Sequence, residues 1–569
     1  MNKLLKYLII IQLLTVSFEA FGQNLLCNEK IYLQTDRDVY IAGEDVFFNC
    51  ICYSPKPNNR AALSNLVYLT LRNENNIIVS GICLKLKNNT FSGSIILPDT
   101  LSTGRYQLVS YTNTMRNFAE SNYFKKEILV ANRFDRELFR IYSGTLKIDS
   151  SNMNLKRGEY YPQNDVVKIN PEKSQYAKRE KIKVALTAVG MKGNESAQLT
   201  VSVREKTYQQ DQQQNNISTT LLNSKNTCRH FPEINSVVLE GQVVSTDIDQ
   251  AMTNVLVYLS TPDTLVNLQL THTDKDGMFR FQLNDYYSFK NLIISLPDNP
   301  SGKIVLDDKY ILKEPFVPSR IFSDSLIRDY LIKSQGIVLI QKDYKTSIEK
   351  ILPDTFAVNN TPPLAYPPVT DPVYPSDFVE LTDFVEISRE LLPLLQTRKH
   401  EFGYQSRFLN ISKSEFYTES PLVILDGVPI NSINQIITLG TEKLYKIEAI
   451  GTERFYGGKL FTGILALFSK NMEINNIVWK SPMVNINYVQ LQPRSILVRS
   501  NYSKSDKTPD FRQLLYWNPN LSLKANGVNN FEFLASDNKG EFEISVEGIT
   551  SNGRFINSRV TIKIGSNLK

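Results

Sequence analysis

A two-residue alternation of apolar and polar positions runs through most of this chain, broken every few residues by turn formers. Ile31 and Leu33 alternate with polar neighbours, Asp36-Arg37-Asp38 interrupts the pattern, and Ala42-Gly43 turns the chain toward Val46-Phe47-Phe48. Successive side chains on a strand point to opposite faces, so the pattern predicts strands with at least one buried face. Further strands are expected at 66–71, 76–86 and 107–112, the last entered through the turn at 101–106. The alternation returns in the core signature at 176–184, in a strand at 198–204, and at 238–243 and 254–259. A turn at 273–277 leads into Met278-Phe279-Arg280-Phe281, and the segment from Asp510 leads to strands at 531–533 and 543–548. Strands are also predicted at 423–425, 446–450 and 463–468, with turns at 426–429 and 456–458.

Helical spacing is confined to two places. At 323–335, Leu326, Ile327, Tyr330 and Leu331 form one apolar stripe. At 383, an aspartate cap with Glu386 three residues on precedes Phe384, Ile387, Leu391 and Leu394, all on one face, and Pro393 ends the helix. The expected fold is mainly β: tandem β-sandwich domains plus one α+β module in a multidomain chain.

Two stretches cannot build a core. Residues 208–227 are rich in Gln and Asn and read as a mobile, solvated loop; 361–375 carries six prolines from Pro362 to Pro375 and reads as a stiff spacer. The N-terminus carries Lys3 and Lys6, an apolar run from Leu8 to Val16, then Ala20-Phe21-Gly22. That order predicts a cleaved export signal at 1–22, and the apolar run is too short to span a bilayer. The chain is therefore expected in the periplasm or at the outer membrane, without a transmembrane segment after cleavage. Lys+Arg 64 against Asp+Glu 58 is near balance over 569 residues, which argues against a nucleic-acid partner.

Five cysteines, Cys27, Cys50, Cys52, Cys83 and Cys228, are candidates for pairing in an exported protein. Cys50, Cys52 and Phe48 share one face of a predicted strand, which favours buried free thiols acting as small hydrophobes. The alternative is a bridge from Cys50 or Cys52 to Cys83. No C-x-x-C is present, so neither a redox nor a zinc site is expected.

Catalytic chemistry finds little support. Histidines number 3 (His230, His272 and His400), and acid–base catalysis most often recruits that residue. His400-Glu401 opens like a zincin motif, but Tyr404 stands where the second histidine belongs. The segment 451–460 lacks the first glycine of a phosphate loop, and Leu460 follows Lys459 where Ser or Thr is required. Asp274-x-Asp276-Gly277 lacks the flanking ligands of a calcium loop and reads as a turn. Asp36, Asp38, Glu44 and Asp45 fall in turn segments, where solvated charge or turn hydrogen bonding is the ordinary explanation. No catalytic residue, cofactor or metal is expected.

Several segments resemble known domain families. "YLQTDRDVYIAGEDVFF" and "STGRYQLVSYT" resemble the macroglobulin-like β-sandwich, a likeness covering 27–145. A second such domain is read at 146–236, a carboxypeptidase regulatory-like, transthyretin-like sandwich at 237–318, helix and linker at 319–380, and a final macroglobulin-like domain at 476–569. Residues 381–475, with Leu425-Asp426-Gly427-Val428-Pro429-Ile430 followed by Ile447-Glu448-Ala449-Ile450 and Tyr456-Gly457-Gly458, resemble the plug domain of TonB-dependent transporters. Leu425, Asp426, Gly427, Tyr456 and Gly457 are its candidate interaction residues. A barrel of that class needs about 220 residues for about 22 strands, more than Asn471–Lys569 supplies. The whole order resembles exported multidomain proteins of Bacteroidota. The resemblance implies an envelope location and this architecture. The export signal, the stacked sandwiches, the plug-like unit without a barrel and the lack of a catalytic constellation lead to the expectation of a non-enzymatic envelope binding or scaffold protein, partnered by outer-membrane or envelope proteins, a β-barrel in trans among them, or by a glycan. The alternatives are a component of TonB-dependent nutrient uptake and a hydrolase with an unrecognised carboxylate site.

Overall fold

The computed structural model describes residues 29–54, 63–135, 166–206, 229–283, 291–318, 325–344, 350–351, 365–479, 482–487, 496–497 and 508–565. The export signal, Cys27, Cys228, the whole Gln- and Asn-rich stretch and the start of the proline-rich stretch lie outside the described residues. The described chain is mainly β and divides into two compact units. The first takes residues 1–234, 309–356 and 491–569; the second takes 235–308 and 357–490.

In the first unit, residues 29–135 form a β-sandwich. One sheet has the order Lys30–Thr35, Asp45–Tyr53, Thr90–Ile96. The other has the order Val39–Ile41, Phe124–Ala131, Gly104–Tyr111, Leu66–Asn73, Ile78–Lys85. The strand Asp45–Tyr53 is buried almost end to end because both its faces are covered. Phe48, Cys50 and Cys52 face the sandwich core, where Phe48 stacks on Phe91. Phe47, Asn49, Ile51 and Tyr53 point the other way. Phe47 meets Leu514 and Trp517, Asn49 donates to Thr200 Oγ1 at 2.8 Å, and Ile51 and Tyr53 pack on Ile549. Strict alternation thus places every second residue of one strand in a different core.

Those contacts belong to a second sandwich, and its composition differs from the sequence reading. Its larger sheet has the order Gln175–Tyr176, Phe555–Ile564, Gly540–Thr550, Ser196–Glu205, Leu514–Lys524; its smaller sheet is Val528–Leu534, Lys181–Ala188, Val167–Pro171. The segments assigned above to two domains, 146–236 and 476–569, therefore share both sheets and one core, in which Leu199 and Val201 pack with Phe542, Ile544 and Phe533. Ser196–Glu205 is a central strand with antiparallel partners on both edges, both from beyond residue 513. Periodicity marks a strand but not its partner, so this pairing was invisible along the chain.

Charge is buried with partners where the two sandwiches meet. Asp36 is fully buried rather than solvated, and accepts from Tyr40 Oη at 2.8 Å and from the Phe47 amide at 2.9 Å. Arg37 bridges Asp36 and Glu44, each at 3.1 Å. Asp38 pairs with Lys126 at 2.7 Å, and Arg204 donates to Glu543 at 3.1 Å.

Helix α1, Ser325–Asp343, runs past the predicted end at 335, and its buried face, Leu331 and Ser334, continues beyond that end at Ile337. Leu331 packs on Val39, Ile41, Leu129 and Ala131. Lys333 anchors it to Glu205 at 2.5 Å.

In the second unit, strands between residues 237 and 306 form two small sheets. One sheet is Met278–Leu283, Val237–Ser245, Gly302–Leu306; the other is Leu268–His272, Leu256–Ser260, Asn291–Ser295, completed by Met483–Asn487. That last strand, antiparallel to Asn291–Ser295, comes from far along the chain. The α+β module supplies a sheet in the order Val428–Pro429, Leu422–Leu425, Ile464–Ser469, Leu444–Ile450. Helix α2, Phe384–Leu391, is capped as read: Asp383 Oδ1 accepts from the Glu386 amide at 2.9 Å. Leu394, expected on the buried face of that helix, is instead 40% exposed, because the helix ends at Leu391 ahead of Pro393.

Candidate interaction site

The apolar runs Leu422–Leu425 and Ile464–Phe468 are continuous rather than alternating, the pattern of strands covered on both faces. Val423, Leu425, Leu465 and Leu467 pack on one side with Phe384 and Ile387 of α2. Leu422, Ile424, Ile464, Ala466 and Phe468 pack on the other with Leu256, Tyr258 and Val266 of the small sandwich. Each such side chain taken fully out of water contributes about 1.5–3 kcal/mol. The sheet that holds Leu422–Leu425 and the small sandwich therefore share a core.

The two motif turns close the same join. Asp426 and Gly427 form the two-residue loop between Leu422–Leu425 and Val428–Pro429, with φ of 49° and 83°. Two positive φ values match the right-handed twist of a tight hairpin, and an Asp-Gly pair tolerates them. The buried Asp426 carboxylate accepts from the Ser469 amide at 2.6 Å, the Ser469 hydroxyl at 2.7 Å and the Ile474 amide at 3.1 Å. A Cβ on Gly427 would stand 2.6 Å from the carbonyl oxygen of Thr261, and the Asp263 amide donates to the Asp426 carbonyl at 3.0 Å.

Gly457 and Gly458 repeat the device between Arg454–Tyr456 and Lys459–Phe461, with φ of 53° and 83°. A Cβ on Gly457 would lie 2.5 Å from Leu270 Cβ. The Tyr456 hydroxyl donates to the Ala365 carbonyl, and Lys459 pairs with Asp298 at 2.8 Å. Leu425, Asp426, Gly427, Tyr456 and Gly457 are thus brought to one join, as internal contacts.

The zincin-like pair, His272 and the Asp274 turn lie on separate elements. His400 and Glu401 lie at the tip of the hairpin Leu395–His400/Gly403–Asn410, not on a helix. His272 ends a strand at the surface. Asp274 Oδ1 accepts from the Asp276 and Met278 amides, both at 2.9 Å, and Gly277 has φ of 70°, the geometry of a turn. Tyr366 donates to Glu448 at 2.6 Å, and Lys446 reaches the other oxygen of Glu448 at 2.8 Å. Burial first, then the Glu448 hydrogen bond, pushes the Tyr366 phenol far above its usual range, so it stays a donor.

The thiols of Cys50, Cys52 and Cys83 are buried and unbonded, so the alternative bridge between Cys50 and Cys83 is not formed. They belong to opposite sheets, Cys50 beside Ser110 and Cys83 beside Tyr68. Burial pushes the Cys50 thiol up to about 12. It raises Cys83 further, with Glu233 adding to the rise.

One surface was missed along the sequence. Phe402, at the tip of the 395–410 hairpin, is 95% exposed. The only sequence signal there was the His400-Glu401 pair, read against a zinc motif.

No protein-family model matches the chain, and no curated protein matches it. Among solved structures, the chain is similar to Salmonella alpha-2-macroglobulin reacted with methylamine, at 10% identity and a TM-score of 0.25, over 95% of this chain and 40% of that one. It is similar to native Escherichia coli alpha-2-macroglobulin at 9% identity and a TM-score of 0.24, over 94% of this chain and 40% of that one. An E. coli adhesin, FdeC, aligns at 11% identity and a TM-score of 0.14 over 30% of this chain and 46% of its own. The chain spans about 40% of the length of these macroglobulin structures.

Proposed function

We propose that this chain is a non-catalytic scaffold of the cell envelope that binds other envelope proteins. The observation that carries the reading is the fate of the plug-like motif. Asp426 is saturated by three donors, and Gly427 and Gly457 are pressed against the small sandwich. The motif therefore acts as a fastener, and a module fastened on both faces suits a rigid platform. Binding then falls to exposed hairpins and strand edges, which offer backbone groups and side chains to a partner. A barrel in trans, if it is the partner, meets those surfaces and not the motif turns.

The test is affinity purification of the tagged full chain from its native envelope after mild crosslinking. An outer-membrane barrel or another envelope protein is expected to co-purify in stoichiometric amount. Recovery of the chain alone, or turnover of a glycan or peptide library by the pure protein, overturns the reading.

A further inference from the structure

Phe402 stands at the end of a two-residue loop, Glu401-Phe402, and is 95% exposed. Exposed phenylalanines are ordinary on floppy loops, but this one is held in place. Gly403 has φ of 121°, and a Cβ there would lie 2.6 Å from Asn434 Oδ1. The Asn434 side chain accepts from the Tyr404 amide at 2.7 Å and donates to the Tyr404 carbonyl at 3.2 Å, gripping the hairpin beside its tip. The adjoining Gln435 donates to the Val478 carbonyl at 3.0 Å, and Val478 is itself 78% exposed. A second apolar side chain, on the separate segment that this bond ties down, thus also reaches solvent.

The charge around the tip has one sign in excess. Arg398 and Lys399 lead into it, both exposed, against Glu401 alone. Arg407, diagonal to Arg398 on the same face of the ladder, is half-buried and donates to Gln405 Oε1 at 2.6 Å, so the exposed cations are Arg398 and Lys399. Among the described residues, neither Arg398 nor Lys399 has a carboxylate partner. The contrast is Phe455, 70% exposed on the other motif hairpin. There Arg454 donates to the Glu453 carbonyl, and Lys459 is paired with Asp298.

We infer that the 395–410 hairpin docks on an anionic lipid surface, with Phe402 entering the headgroup boundary while Arg398 and Lys399 meet lipid phosphates. An aromatic ring suits that boundary, and unpaired cations beside it add attraction to anionic headgroups. A single ring and a few charges give weak, reversible attachment, which orients a scaffold without anchoring it irreversibly.

The purified full chain is sedimented with phosphatidylcholine vesicles, and with the same vesicles containing phosphatidylglycerol. Binding to the anionic vesicles alone is expected, and it should weaken as salt is raised. Phe402→Ser should lower partitioning about tenfold, the effect of keeping one large apolar side chain in water. Arg398→Glu with Lys399→Glu should abolish the preference for anionic lipid, while Phe455→Ser leaves binding unchanged. Thermal unfolding of each variant confirms that the surface changes leave the fold intact. No vesicle binding, equal binding to both vesicle types, or equal loss with Phe455→Ser overturns the inference. Capture by immobilised polyglutamate without vesicle binding also overturns it, and assigns the tip to an acidic protein instead. The assay contains no protein partner, so its outcome is independent of the co-purification experiment.

Discussion

Lys309 Nζ stands 2.6 Å from Glu233 Oε1, and both residues are buried. Tyr68 donates to the same carboxylate at 2.8 Å. The chain leaves the first unit just after Glu233 and re-enters it at Lys309. The ion pair therefore clamps both ends of a 74-residue excursion, Asn235–Asp308, within the first sandwich.

Breaking that clamp on one side should be costly. Lys309→Met leaves an uncompensated buried carboxylate, and loss of one partner of a buried pair costs about 3–5 kcal/mol. Chemical denaturation should show a loss of that order for Lys309→Met. The double variant Glu233→Leu/Lys309→Met should recover much of it, because the stranded charge is gone. A single variant as stable as the parent would mean that the pair holds nothing.

Asp426→Ala should destabilise the second unit by about 3 kcal/mol, since it strands two amides and a hydroxyl and puts alanine at positive φ. Asp426→Asn keeps one acceptor and the tolerance for positive φ, so its loss should be smaller, about 1 kcal/mol. Urea unfolding followed at Trp479, which packs on the core around Leu425 and Leu467, reads the difference.

Gly427→Ala should loosen the join between the Leu422–Leu425 sheet and the small sandwich. Its φ of 83° strains any other residue, and the new methyl group would collide with the Thr261 carbonyl. Faster hydrogen exchange in Leu256–Ser260 and Leu422–Leu425, with no change in the second sandwich of the first unit, is the expected signature.

Cys50, Cys52 and Cys83 should resist Ellman's reagent in the native protein at pH 8 and react on unfolding. Burial keeps them protonated, and only a thiolate attacks the reagent. Rapid native labelling of Cys50 would contradict its burial.

Asp38 links stability to pH. Burial pushes its carboxyl up, but Lys126 and Arg204 together outweigh that and hold it well below the usual carboxylate range. A depressed folded value means that its contribution is present above the unfolded value of about 4 and is lost as pH falls through the folded one. The stability gap between the parent and Asp38→Asn should therefore be widest near neutrality and close in strong acid. Asp36 runs the other way: burial, only partly offset by Arg37 and Tyr40, raises its carboxyl. A gap that widened on acidification would reverse the assignment.

Local chemistry was decided along the chain. The alternation at 45–53, the cap at Asp383 and the Asp-Gly and Gly-Gly hairpin turns each follow from neighbours a few residues away, because strand faces, caps and tight turns are set by short-range sterics. The shared face of Phe48, Cys50 and Cys52 was legible for the same reason. Partner choice was not. Ser196–Glu205 takes both neighbours from beyond residue 513, Met483–Asn487 completes a sheet begun at Leu256, and Lys309 meets Glu233 across the excursion. The Phe402 tip was likewise hidden, since exposure is fixed by what packs around a residue. The sequence by itself determined the strands, the turns and the continuous apolar runs that demand two covered faces. Tertiary structure alone decided what covers them, because burial is satisfied by any apolar surface that the fold brings near, however distant in the chain.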